Sequence, residues 1–126
     1  NFAEDSDVTI VFGTEVFDQG SNFASNTFTA PVTGKYQLSV YLQVQNFETA
    51  YSSYHIKIVT SNRNYNYILD PDAFDSNAAF LPIAFSALAD MDASDTAHIT
   101  IQAGGTAGGA GHDIATQSFF TGYLVC

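Results

Sequence analysis

Residues 36–45 alternate between apolar and mainly polar side chains, and this is the clearest pattern in the chain. A two-residue period places one set of side chains on one face of a strand, whereas a helix would scatter that set around its axis. The pattern therefore predicts a long β-strand with one buried face. The apolar positions are Tyr36, Leu38, Val40, Leu42 and Val44.

Shorter runs rich in β-branched and aromatic residues, bounded by Gly, Asn, Asp or Pro, predict further strands. No capped helical stretch separates them, which is typical of an antiparallel sandwich or barrel rather than of βαβ units. The 126 residues are therefore expected to form a single all-β domain, 1–126. The shorter runs are Val8 to Phe12, Phe28 to Ala30, Tyr54 to Thr60, Tyr65 to Leu69, Ala97 to Ala103 and Ser118 to Val125.

The segment 78–91, with the sequence AAFLPIAFSALADM, is ambiguous because it is apolar enough to be a buried helix. Pro82 argues against a helix centred there, since proline removes a backbone donor and clashes with the preceding turn. We interpret the segment as a bent strand that enters a turn at residues 90–95. A partly helical segment is the alternative.

Several predicted strands place apolar side chains on both faces. In the last run Phe119, Tyr123 and Val125 alternate with Phe120 and Leu124, so one of these sets points away from the core. A sandwich has one core to fill, and large exposed apolar patches are uncommon on soluble monomers. The pattern favours a homo-oligomer, with a monomer carrying scattered surface aromatics as the alternative.

The chain is strongly acidic, with 13 acidic and 3 basic residues and a formal net charge of −10. This charge disfavours binding to nucleic-acid phosphates or to anionic membrane surfaces. The chain also has no apolar run long enough to predict membrane insertion. Cys126 is the single cysteine, so no intrachain disulfide is expected, and the start at Asn1 suggests a fragment of a longer protein.

Aromatic and small residues near the N-terminus follow a distinctive spacing. The spacing is Phe12-x5-Asp18-x4-Phe23, followed by Phe28-x5-Gly34-x-Tyr36. It resembles the signature of the C1q family. The family signature has two more residues before the phenylalanine that corresponds to Phe28, and it has aromatics where this chain has Leu38 and Val40. A turn at Asp95 and the closing run 118–125 resemble later family motifs and occur in the same order.

The resemblance implies a C1q-like or tumour-necrosis-factor-like jelly roll, a type of antiparallel β-sandwich. Heads of this kind pack three copies around a common axis, so the number three comes from the resemblance alone. The positions that match the family motifs are expected to form or shape the core. They are Phe12, Phe23, Phe28, Gly34, Tyr36, Phe120, Gly122, Tyr123 and Leu124.

Two acidic loops share the spacing Asp-x-Asp-x-x-Asp. The first loop contains Asp70, Asp72 and Asp75. The second loop, at residues 90–95, has aspartates at positions 90, 92 and 95. Ca²⁺ takes six to eight oxygen ligands with tolerant geometry, so clustered loop carboxylates suit it. The first loop aligns roughly with the calcium-holding region of some C1q heads, which makes it the candidate Ca²⁺ site. Solvated turn-forming aspartates are the alternative for both loops.

Other candidate chemistry is weak. His55, His98 and His112 belong to no metal-binding motif, and Cys126 at the chain end is a poor nucleophile. The glycine-rich run 104–111 lacks the Lys-Ser/Thr of a phosphate loop and is interpreted as a surface loop. The Tyr-Asn segment 62–67 fits either a recognition surface or a plain hairpin. The chain is therefore not expected to be an enzyme.

The predicted function is a non-enzymatic trimeric recognition head that binds a cell-surface glycan or protein receptor. Because the chain is short, acidic and poor in cysteine, the preferred setting is the receptor-binding domain of a fibrous virion protein, such as a phage tail fibre or spike, or of a surface adhesin. The expected location is extracellular or on the virion surface. The alternatives are a secreted C1q-like binding protein, a structural trimerisation or capsid-decoration module, and a glycan hydrolase with paired carboxylates.

Overall fold

The computed structural model describes residues 3–13, 20–105 and 112–126. Asp18 and residues 106–111, which belong to two of the sequence motifs, lie outside these ranges. Within the described ranges the chain forms ten strands and a short 3-10 helix, Pro71–Ala73. The strands are β1 (Val8–Thr9), β2 (Phe23–Ala24), β3 (Thr27–Thr29), β4 (Gly34–Phe47), β5 (Ser53–Thr60), β6 (Asn64–Leu69), β7 (Ala78–Met91), β8 (Thr96–Gly104), β9 (Asp113–Ile114) and β10 (Phe119–Leu124).

These strands form two sheets with the core between them. The first, called here the β8 sheet, has the order β2-β3-β8-β5-β6, and β1 also pairs with β8. The second, called the β4 sheet, has the order β10-β4-β7, and β9 also pairs with β4. All of these strand pairs are antiparallel. The prediction of an all-β antiparallel sandwich is confirmed.

Strand β4 is the centre of its sheet and extends beyond the predicted alternating run at both ends. Its alternate residues are buried, as the two-residue period predicts, and they face buried residues of β5 and β8. Aliphatic side chains dominate the middle of this core, and burying each of them stabilises the fold by about 1.5–3 kcal/mol. The fully buried examples are Leu38, Leu42, Val44, Ile56, Ile58, Ile99 and Ile101.

The ambiguous segment 78–91 is a strand along its whole length, so the partly helical alternative is wrong. Strand β7 pairs with β4 from Ala78 to Met91 and forms one edge of the β4 sheet. Pro82 is tolerated because an edge strand has one side on which a missing backbone donor costs no ladder hydrogen bond. Pairing with the most regular strand in the chain therefore decides the structure of this segment.

A chain of aromatic rings connects the two sheets at the N-terminal side of the core. Phe12 and Phe23 both contact Phe120, at ring-centroid distances of 6.3 and 5.4 Å. Phe23 in turn contacts Phe28 at 5.2 Å, and Phe28 contacts Tyr36 at 5.4 Å. The five aromatics of the N-terminal and closing motifs therefore pack together, although they lie far apart in sequence.

The remaining core candidates lie at close approaches or at the surface. A Cβ on Gly34 would lie 2.6 Å from Leu124 Cδ1, and one on Gly122 would lie 3.0 Å from Leu38 Cδ2, so each glycine makes room for a leucine. Leu124 shares the inward side of the sheet but is 46% exposed, and Tyr123 points outward and is 60% exposed. In the single chain, therefore, Tyr123 and Leu124 are surface residues rather than core residues.

Candidate functional site

The outward-facing side of the β4 sheet carries four of the ten large hydrophobic side chains that are exposed among the described residues. Its residues follow from the pairing register, because cross-strand partners of buried positions face inward and the positions between them face outward. This surface, called here the outer face, consists of Phe119, Thr121 and Tyr123 on β10, Gln37, Ser39, Tyr41, Gln43 and Gln45 on β4, and Phe80, Pro82, Ala84, Ser86 and Leu88 on β7.

Four large apolar side chains of the outer face are about half exposed. The exposed fractions are 51% for Phe119, 60% for Tyr123, 54% for Leu88 and 56% for Phe80. The ring of Phe119 stacks on that of Tyr41 with a centroid distance of 5.3 Å, which holds both rings in place on the surface. The sequence prediction that the closing strand presents aromatics on its outward side agrees with this arrangement.

None of the outer-face residues is charged. Charged groups occur at its margins, where Lys35 lies opposite Asp90 at one end and Asp113 pairs with Gln45 near the other. A chain of net charge −10 therefore keeps a broad surface free of carboxylates. Depletion of charge with retention of aromatic residues is the compositional mark of the centre of a protein interface.

A shallow depression of about 330 Å³ lies within the outer face. The small side chains of Ser39, Ala84 and Ser86 line it together with the rings of Tyr41 and Phe119. No titratable side chain other than the Tyr41 phenol lines this depression. Its chemistry suits an apolar or aromatic side chain rather than an ionic ligand or a hydrolytic reaction.

The structure does not bring the three carboxylates of the candidate calcium loop into one cluster. Asp70 caps the short 3-10 helix, and its Oδ1 accepts a hydrogen bond from the Asp72 amide at 3.0 Å. Asp72 and Asp75 are exposed. Among residues 3–13, 20–105 and 112–126, no group of three His, Cys, Asp or Glu side chains is arranged to hold a metal ion. Calcium binding at this loop therefore stays a prediction, and the arrangement of the three carboxylates does not support it.

The second acidic loop is a turn stabilised by its own side chains. Asp95 Oδ2 accepts hydrogen bonds from the Asp92 amide at 2.9 Å and from Asn62 Nδ2 at 3.0 Å. Ser94 has a left-handed backbone with φ of 78°, as is common in tight turns. The turn-forming alternative thus accounts for Asp92 and Asp95, and the Asn62 bond ties the β5–β6 turn to the β7–β8 turn.

The Tyr-Asn segment forms the β5–β6 turn and strand β6. Tyr67 stacks on Phe85 of the other sheet at 5.6 Å, and the Tyr65 hydroxyl donates to the Leu88 carbonyl at 3.4 Å. These tyrosines therefore close the edge of the sandwich between β6 and β7. The plain-hairpin alternative accounts for the segment. These contacts do not support a recognition role for its tyrosines.

The histidines occupy two different environments. His55 and His98 are half-buried on the outward side of the β8 sheet, where His55 pairs with Gln102 and Ile68, and His98 pairs with Val59. His112 is buried, and its Nδ1 lies 2.8 Å from the Tyr51 hydroxyl, which donates to Glu4 Oε1 at 2.6 Å. Sequence reasoning missed this cluster because its members are 47 and 61 residues apart and no local pattern marks them.

The Tyr51 phenol has its pKa raised, first by burial and then by the hydrogen bond to Glu4. The unfolded chain releases this proton near pH 10 while the folded chain retains it, so the free energy of unfolding falls as the pH rises above about 10. Tyr51→Phe removes the titrating group, and we expect a shallower fall in urea-unfolding free energy above pH 10 than in the wild-type protein. Equal slopes for the two proteins would contradict this account.

No model of a known protein family matches the chain, and no curated protein matches it. Among solved structures, the globular domain of zebrafish complement 1qA protein is similar, with a TM-score of 0.70 and 18% sequence identity. The similarity covers 94% of this chain and 84% of that domain. The fold is therefore that of a C1q globular domain, which confirms the resemblance noted in the sequence. Among the described residues, no helix has the length and hydrophobicity needed to cross a membrane.

Proposed function

We propose that the chain is a non-enzymatic recognition head that assembles into a homotrimer through its outer face and binds a cell-surface glycan or protein receptor. The preferred setting is the tip of a phage tail fibre, spike or adhesin, which places it outside the cell or on the virion. The observation that carries the proposal is the uncharged outer face with four large apolar side chains about half exposed to solvent.

The size of the outer face supports self-assembly. Strands β4 and β7 have 14 residues each and β10 has 6, so at about 3.4 Å per residue and about 4.8 Å between strands the outer face covers roughly 550 Å². This is about two-thirds of the roughly 800 Å² that a specific interface buries on each partner. Three copies around an axis are the arrangement of the C1q heads that the chain resembles.

Charge supports the same surface as the contact between copies. Copies that each carry a net charge of −10 repel one another. The repulsion is least when the buried surface is uncharged and the carboxylates stay in water. In this arrangement the acidic loops and the outward side of the β8 sheet stay open, and they are the surfaces left for a receptor.

The recognition role is tested by binding of the wild-type chain to arrays of cell-surface glycans and receptor ectodomains. We expect saturable binding that weakens when the assembly is dissociated, because three linked sites bind with avidity. The Phe119→Asp, Tyr123→Asp double variant supplies the dissociated chain. An assembled chain that binds nothing across both arrays would instead favour the structural module, for which the same outer face is sufficient.

A further inference from the structure

We propose that copies of this chain assemble by fitting a ridge into a groove on the outer face. The ridge is the stacked pair Tyr41 and Phe119, and the groove is the row Thr121, Ser39 and Ser86. The ridge of one copy lies in the groove of the next. This inference rests on the proposed function, because it needs the outer face to be the contact between copies.

The pairing register places the groove residues in a straight line across three strands. Thr121 on β10 is the cross-strand partner of Ser39 on β4, and Ser39 is the partner of Ser86 on β7. All three side chains are small hydroxyls that face outward. Because cross-strand partners lie side by side, the low row runs across the whole width of the sheet.

Larger side chains lie on both sides of the groove. One row, two residues along each strand, contains Tyr123, Gln37 and Leu88. The other row begins with the ridge rings of Phe119 and Tyr41 and ends at the small side chain of Ala84, so the ridge spans β10 and β4 only. Each row is about 6.8 Å from the groove, given a rise of about 3.4 Å per residue. The depression of about 330 Å³ is lined by Ser39 and Ser86 of the groove and by both rings of the ridge. The groove and the ridge are therefore adjacent parts of one uneven surface.

The ridge and the groove of the outer face have shapes that are complementary to the same surface of a second copy. Two ridges that met directly would leave the grooves as voids, and voids at an interface lose van der Waals contacts. A ridge that enters a groove fills this space with an aromatic surface, as well-packed interfaces require. The outer face offers no charge for an ionic ligand, and its area is about two-thirds of what one specific contact buries on each partner.

The test fills the groove and then restores the fit. Ser39→Phe places a ring in the groove, and we expect a folded chain whose dissociation constant is raised by about tenfold or more. The double variant Ser39→Phe, Phe119→Ala has a ring where the groove was and a hollow where the ridge was, and we expect it to regain much of the lost assembly. Thr9→Phe, the same kind of exchange at an exposed position on the β8 sheet, is the matched control.

Sedimentation equilibrium separates the outcomes. Dissociation of Ser39→Phe with recovery in the double variant supports the ridge and groove. A different outcome is that Ser39→Phe assembles as tightly as the wild-type chain while the double variant Phe119→Asp, Tyr123→Asp dissociates. The outer face would then remain the contact between copies, but the ridge-and-groove fit would be overturned. A monomeric wild-type chain overturns both proposals. If Ser39→Phe fails to fold, Thr121→Phe on the edge strand β10 fills the groove from its side and carries the same expectation.

Discussion

The Phe119→Asp, Tyr123→Asp double variant is expected to be a folded monomer at concentrations where the wild-type chain is a trimer. Both side chains lie on the outer face and are 51% and 60% exposed in the single chain, so the substitutions cost the monomer little. In the assembly, each copy would bury two new carboxylates without a counter-ion, and an unpaired buried charge is strongly destabilising. Light scattering after size exclusion measures the change in mass.

Ile68→Asp is the matched control for this variant. Ile68 is 60% exposed, the same fraction as Tyr123, but it points outward from the β8 sheet, as the register of β6 with β5 requires. The control introduces a carboxylate in place of an equally exposed apolar side chain, and we expect it to keep the wild-type mass. Equal loss of assembly in both variants would mean that added negative charge, rather than the outer face, controls association.

Phe28→Ala is expected to lower the free energy of unfolding by about 3–5 kcal/mol. Phe28 is 2% exposed and contacts the rings of Phe23 and Tyr36, so the substitution leaves a cavity between the two sheets. A loss of this size is a large part of the roughly 5–15 kcal/mol that stabilises a typical domain. Urea unfolding of the two proteins at equal concentration measures it.

Val11→Ala is the control for the core substitution. Val11 is 74% exposed, so its loss is expected to change the unfolding free energy by no more than about 0.5 kcal/mol. If Phe28→Ala unfolded with the same midpoint as this control, the aromatic chain that links Phe12, Phe23, Phe28, Tyr36 and Phe120 would not be a stabilising part of the core.

The fold was largely predictable because side-chain period and local propensity agree in most strands. The two-residue period of residues 36–45 predicted the inward face of β4 correctly, since only one register buries its apolar set. Segment 78–91 needed tertiary information, because an apolar run has no readable period and its pairing with β4 decides the matter. Strand β1 is shorter than the predicted run Val8 to Phe12, and the two-residue strands β2 and β9 were not predicted, because so short a strand leaves no readable period.

The candidate site was predictable as a face but not residue by residue. Alternation in the closing strand separated Phe119 and Tyr123 from Phe120, but the family motif also placed Tyr123 and Leu124 in the core. Motif spacing does not report how far a strand at the sheet edge is covered, and β10 is such a strand. The groove depends on cross-strand register, which joins Ser39 to Ser86 and to Thr121, 47 and 82 positions away, and leaves no local signal.

The loop chemistry was the least predictable part. The repeated aspartate spacing is the same in both acidic loops, yet Asp70 caps a 3-10 helix and Asp95 closes a turn. Spacing along the chain does not fix carboxylate direction, because this depends on the backbone conformation of each turn. The buried contact of Glu4, Tyr51 and His112 likewise depends on elements that meet only after the sheets have formed.

Sedimentation equilibrium of the wild-type chain at micromolar concentration tests the central claim most directly. The claim is that the apolar outer face of the β4 sheet is covered by copies of the same chain. A mass three times that of the 13.5 kDa chain is the predicted result. It is retained at high salt because the buried surface is uncharged and because salt screens the repulsion between the acidic copies. A chain that sediments as a 13.5 kDa monomer across this range, with the outer face in water, would contradict the account.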